Sequence, residues 1–231
     1  MKRTVLCSLF VLLVLGSMAA QTPKNSGDLE RVLDDMDKAA AAFKSAQSDF
    51  VWDQFSKVVN DHDFQKGVIY YRVVGKEVQM AADIREPAKK YVLFLDGKVD
   101  VYQPEIEQVT EYNAGKNKSD FESFLVLGFG GRGHDLQKSF DVNYAGDETV
   151  DGVKAAKLAL VPKTQKVKNM FSQILLWIDP ARGISVQQQF MEPSGDYRLA
   201  KYSNIKLNQK LGDEVFKLKT TGKTKWVRPQ G

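Results

Sequence analysis

The chain of 231 residues carries few side chains whose type and spacing suggest chemistry. Its two histidines, His62 and His134, lie far apart, and neither sits in a metal-ligand spacing. Both read as surface residues. Asp34, Asp35 and Asp37 form a dense acidic group, which suits either a cation site or the solvated face of a helix. Gly128-Phe129-Gly130-Gly131-Arg132-Gly133 matches the GxGxxG pattern of dinucleotide sites. Such a site needs a parallel strand before the loop, a long helix after it, and an acidic residue about 20 positions on. Asp151 has a tolerable spacing, but a hairpin pattern follows rather than a βαβ unit. The glycines are therefore expected to form a flexible hinge loop. There is no GxSxG or HExxH motif, and no carboxylates are paired by spacing for acid–base work. The expectation is a protein that is not an enzyme, with no catalytic residue, cofactor or metal.

The first residues have the pattern of an export signal. Lys2 and Arg3 precede the apolar run Thr4–Gly16, and Ser17-Met18-Ala19 offers small residues for cleavage. Residues 1–19 are expected to be a signal peptide, 20–27 a flexible N-terminus, and 28–231 a single domain. Cleavage would remove Cys7, the single cysteine, and lower the formal charge of +4 by two. A chain this nearly balanced gives no electrostatic reason to bind nucleic acid. Without cysteine, its folding does not depend on oxidation.

The rest of the chain supplies the framework. Asp28 can cap a helix whose apolar stripe is Leu29, Val32, Leu33, Met36, Ala40 and Phe43. From Phe50 the hydrophobic period becomes two. Strands are predicted over 50–59, 67–73, 78–84, 91–95, 99–103 and 107–112. Further strands are predicted over 140–144, 153–161, 173–178, 184–191 and 197–207. Asp96-Gly97 and Asp151-Gly152 are hairpin turns, and short connections favour antiparallel pairing. Ser119 can cap a short helix bearing Phe121, Phe124 and Leu125. Several strands are apolar on one side only: Ile69/Tyr71, Met80/Ile84, Ile174/Leu176/Ile178 and Ile184/Val186/Phe190. One-sided strands fit either a core closed by a second sheet or a single sheet curled around a cavity.

The order of several segments resembles the outer-membrane lipoprotein carrier family, the LolA-like proteins. They are "QKGVIYY" at 65–71, "REPAKKYVLFLDGKVDVYQPEIEQVTEY" at 85–112 and "VDGVKAAKLALVPK" at 150–163, followed by "ILLWIDP", "MEPSGD", "YSNIKLN" and "EVFKLKTTG". The resemblance covers nearly all of the chain after the signal peptide. It implies an α+β, mostly β fold. This is an unclosed antiparallel half-barrel of about eleven strands, with an N-terminal helix and a short lid helix over its concave apolar face.

The family's function implies a periplasmic carrier that shields lipoprotein acyl chains between the inner and outer membranes. Its partners would be acylated lipoproteins, an inner-membrane releasing transporter and an outer-membrane acceptor. The alternatives are an envelope-stress regulator or another lipid-binding module on the same fold and, behind these, an enzyme. Taken with strand parity, the resemblance nominates Ile69, Tyr71, Met80, Ile84, Leu176, Ile178, Val186 and Phe190 as cavity lining. Phe121, Phe124 and Leu125 become the lid. The family's lid-latching Arg-Pro pair is missing. Its nearest counterpart is Lys76-Glu77, so Lys76 is the candidate latch, an ammonium where the family has a planar guanidinium. The protein is expected to act as a monomer.

Overall fold

In the computed structural model, residues 24–75, 77–113 and 127–229 are described. The expected signal peptide, residues 20–23, Lys76, and the lid residues Phe121, Phe124 and Leu125 lie outside them. Among the described residues, no helix is long and apolar enough to cross a membrane.

The chain forms one helix and then two β-meanders. Helix α1 spans Lys24–Ala42. It begins ahead of the expected start: Asp28 lies inside it and pairs with Arg31 at 3.2 Å instead of capping. Residues 24–27, expected to belong to a flexible N-terminus, form the first turn of this helix.

The first meander is β1 (Ser45–Ser56), β2 (Asp61–Val74), β3 (Glu77–Glu86), β4 (Lys90–Leu95), β5 (Lys98–Gln103) and β6 (Gln108–Asn113). Helix α2 (Gly133–Ser139) leads into the second meander: β7 (Phe140–Val150), β8 (Val153–Pro162), β9 (Gln173–Asp179), β10 (Ile184–Met191) and β11 (Tyr197–Leu207). A one-turn helix, α3 (Gln165–Lys168), interrupts it after β8. Both predicted Asp-Gly turns have positive φ at both residues, as a tight hairpin requires.

The two meanders join at their ends, since β11 pairs with β1 in the middle of a single sheet of twelve strands. The order is β12-β6-β5-β4-β3-β2-β1-β11-β10-β9-β8-β7. A twisted open sheet beyond about ten strands curls, and this one is an unclosed half-barrel. Eleven strands match the expected count of about eleven, and a twelfth, β12 (Lys225–Val227), lies parallel to β6. Residues 208–224 carry the chain from β11, at the middle of the sheet, across the outer face of the first meander to β12. There Leu211, Val215, Phe216 and Leu218 pack on Ala81, Leu93 and Leu95. Arg72 lies 4.1 Å over the Phe216 ring and bonds Asp213 at 2.6 Å. At the opposite edge, β7 carries a bulge between Tyr144 and Asp147, with Gly146 at φ 98°.

Two apolar clusters fill the inner face. Over β7–β9, helix α1 buries Val32, Leu33 and Met36 on Leu158, Leu160, Ile174, Leu176 and Ile178. Burying each such side chain stabilises by roughly 1.5–3 kcal/mol. Over β1–β4 and β11, the second cluster gathers Phe50, Ile69, Tyr71, Met80, Ile84, Phe94 and Tyr202 around Phe129. Phe129 comes from the glycine-rich loop, so the expected flexible hinge is corrected. Leu127 and Phe129 are buried. A Cβ on Gly130 would lie 2.5 Å from the Phe43 ring, and one on Gly133 2.5 Å from the Leu33 carbonyl oxygen. The GxGxxG pattern here permits close packing of a loop against α1 and β10.

The acidic group on α1 divides. Asp35 bonds Lys38 at 3.1 Å on the surface. Asp37 accepts from Arg132 Nη2 at 3.1 Å and from the His134 backbone N–H at 3.2 Å. The His134 ring lies between Asp37 (3.0 Å) and Glu30 (3.1 Å), tying α2 to α1. Glu30 and then Asp37 raise the His134 pKa above its ordinary value. Burial pushes the Asp37 carboxyl up, but its bonds to the His134 backbone, Arg132 and the His134 ring bring it lower overall.

Two outcomes follow from this packing. Gly133→Ala should destabilise the protein by about 1–3 kcal/mol through overpacking. Gly27→Ala, with no atom within 4 Å of the added carbon, should be neutral or stabilising by up to about 1 kcal/mol; urea denaturation midpoints measure both. The His134 clasp contributes stability below the ordinary histidine pKa of about 6.5 and loses it as pH rises through the raised folded value. Amide exchange in α1 should therefore be slower at pH 6 than at pH 8 after correction for intrinsic rates, and His134→Ala should shrink that difference.

Candidate functional site

A groove of about 280 Å³ opens on the inner face between the two clusters. Its position follows from strand register. Trp52 of β1 pairs with Gln65 of β2 on one side and Ala200 of β11 on the other. One step outward, Gln54 pairs with Asp63 and Arg198; one step inward, Phe50 pairs with Gly67 and Tyr202. Charged and amide side chains thus form the rim and apolar ones the depth. Ile69, Tyr71 and Met80 make one wall, while Phe171 and Phe190, 5.2 Å apart between ring centres, make the other.

The inner end has a small polar network. Tyr202 donates to Gln188 Oε1 at 3.1 Å, and Gln188 Nε2 donates to the Leu127 carbonyl. This satisfies a buried amide that would otherwise be costly. Burial pushes the Tyr71 phenol well above its usual pKa, with Tyr202 adding to the shift. Burial raises Tyr202 as well, against the opposing effect of its bonds to Trp52 and Tyr71. Both phenols are neutral at physiological pH and offer no phenolate nucleophile. His62 lies on the outer face, 2.7 Å from Asp53 and stacked on Phe64. Among the described residues, no three His, Cys, Asp or Glu are grouped to hold a metal ion. The chemistry this arrangement offers is the solvation of an apolar chain.

Of the residues nominated from sequence, the structure brings Ile69, Tyr71, Met80 and Phe190 together at the groove. Ile84, Leu176 and Ile178 point to the same face but do not line the groove; they are packed within the two apolar clusters. Val186 is displaced. A bulge between Ser185 and Gln187 breaks the alternation and places Val186 with Trp177 and Ala155 in a separate cluster. Trp52, Gln188, Ala200 and Tyr202 were missed. Trp52 and Tyr202 could have been found from the parity they share with Phe50 and Ala200. Gln188 carried no such signal, since a glutamine among glutamines reads as solvent-facing.

Comparison with known proteins agrees with this geometry. The crystal structure of MucB aligns with a TM-score of 0.54 and 16% identity, over 86% of this chain and 64% of MucB. An uncharacterized conserved protein from Thermus thermophilus aligns with a TM-score of 0.56 and 12% identity, over 87% of this chain and 99% of its own. The Pseudomonas aeruginosa MucA/MucB complex gives 0.50 and 16% identity, over 83% and 61%. At such identities the likeness is one of fold, and this chain spans a little under two thirds of MucB. No curated protein matches the sequence. The family model for the outer membrane lipoprotein carrier protein LolA matches residues 44–219. That match covers most of the sequence, and the chain belongs to the LolA family.

Proposed function

We propose that the protein is a periplasmic carrier whose groove shields an acyl chain of a lipoprotein during transfer from the inner to the outer membrane. The observation that carries this reading is the groove itself: apolar in its depth, polar at its rim, and open at the surface. Withdrawing acyl chain from water is worth about 0.8 kcal/mol per methylene. A container with this lining therefore lowers the barrier to crossing an aqueous compartment without any bond being made or broken. The basic and apolar residues 2–16 support export. On this reading the donor is an inner-membrane releasing transporter, the recipient is an outer-membrane acceptor, and the carrier works as a monomer. A regulator that binds another protein draws on the likeness to MucB, which extends to the fold alone.

The test is titration of the protein with a fluorescent fatty acid and with a synthetic acylated lipopeptide. Wild type should bind both saturably. Met80→Asp and Phe190→Asp should weaken binding at least about tenfold, because each buries an unpaired carboxylate in the groove. Val58→Asp, at a hairpin tip 89% exposed, should bind as wild type does. Equal affinities for all four folded proteins would place the ligand elsewhere. Absence of acyl binding altogether would favour the regulator.

A further inference from the structure

The groove ends abruptly. Along β11 it runs from Arg198 at the rim through Ala200 to Tyr202, five residues whose four steps span about 13 Å of strand. Its inner end is closed by Tyr71 and Tyr202. Behind both rings stands Phe129, with no exposed surface. It stacks on Tyr71 with ring centres 5.1 Å apart and meets Tyr202 edge-on at 4.8 Å. The surroundings of Phe129 are apolar as well, with Phe50, Ile84 and Phe94 in the same buried cluster. Chemistry therefore does not end the groove; the inserted ring does. The ring is also held in place. The Leu127 carbonyl accepts from Gln188, and the Gly128 carbonyl accepts from the Ser185 N–H at 2.8 Å. Gly130 is packed on Phe43.

We infer that Phe129, acting through Tyr71 and Tyr202, is a length stop that sets how many methylenes of an acyl chain the groove accepts. This rests on the acyl-binding reading above. A methylene fills about as much space as a water molecule, ~30 Å³, so 280 Å³ holds about nine of them. Longer chains keep their remaining carbons at the rim and gain nothing further from the protein. Phe129 touches the two tyrosines rather than the ligand, so it is a positioning residue.

The experiment is competitive displacement of a fluorescent fatty acid by straight-chain fatty acids of eight to eighteen carbons. For wild type, affinity should rise about fourfold per methylene up to about ten carbons and then level off. Phe129→Ala opens space behind the tyrosines, so its affinity should keep rising beyond that point, by at least about fourfold between the ten- and fourteen-carbon acids. Phe129→Leu, which keeps the site filled with an apolar side chain, should fall between the two. Val58→Asp, at the exposed hairpin tip, should level off where wild type does.

A wild-type affinity that climbs steadily through eighteen carbons overturns the stop, and this holds even if the alanine variant does not fold. Identical break points in wild type and a folded Phe129→Ala also overturn it. Binding of no fatty acid by wild type instead removes the acyl-binding reading itself.

Discussion

The pairing of β1 with β11 governs this architecture. Because the two meanders meet at the middle of the sheet, the end of the first and the start of the second lie near opposite edges. The chain must therefore pass from one side to the other between them. The described part of that passage, Leu127 to Ser139, lies on the inner face, where it meets α1 and the strands it covers. Phe129 and the α2 clasp are consequences of this route. A sheet with sequential strand order would have no reason to carry a loop across its apolar face.

What the described part of the route leaves uncovered is the groove. Helix α1 shields the β7–β9 half, and the glycine-rich loop fills the depth of the β1–β4 half. Between them the inner face has apolar walls and, among the described residues, no third element over them. Burial of the two clusters stabilises the fold, while the gap between them leaves Met80, Phe190 and Tyr71 facing open volume. Storage and stability thus draw on the same face of the same strands. This explains why neighbours such as Met80 and Ile84, on one face of one strand, are so differently placed: one lines the groove and the other is locked in the core.

Much of this was legible in the sequence. The eleven longer strands follow the period-two pattern, and the Asp-Gly turns fall where φ must be positive. Of the apolar stripe read for α1, Val32, Leu33 and Met36 are buried, while Leu29, Ala40 and Phe43, the last just past the helix end, are half-buried. The failures have physical causes. Val186 changes face because one extra residue in β10 inverts alternation, and nothing local in Ser-Val-Gln announces a bulge. The glycine motif was read as freedom when it marks close approach, since a glycine required by a neighbour's backbone looks the same in sequence as one required by a hinge. Strand β12 is three residues long and pairs at the end of a crossover, so it has no period to detect. The groove itself arises from pairing across β1, β2 and β11, and the register that aligns Trp52, Gln65 and Ala200 is a property of no single segment.

The bulge in β7 has a consequence for the molecule as a solute. A half-barrel has two free edges, and each is a template on which another chain could add a strand. One edge is covered by β12. The other is eleven residues long, yet its ladder is interrupted where Tyr144 and Asp147 part, and Asp141, Asp147 and Glu148 are strung along it. A second copy approaching in extended form would meet a kinked backbone and the ion pairs that Asp141, Asp147 and Glu148 form with Lys163, Lys154 and Lys157. A bulge and charged side chains of this kind blunt an exposed edge as a template for another strand.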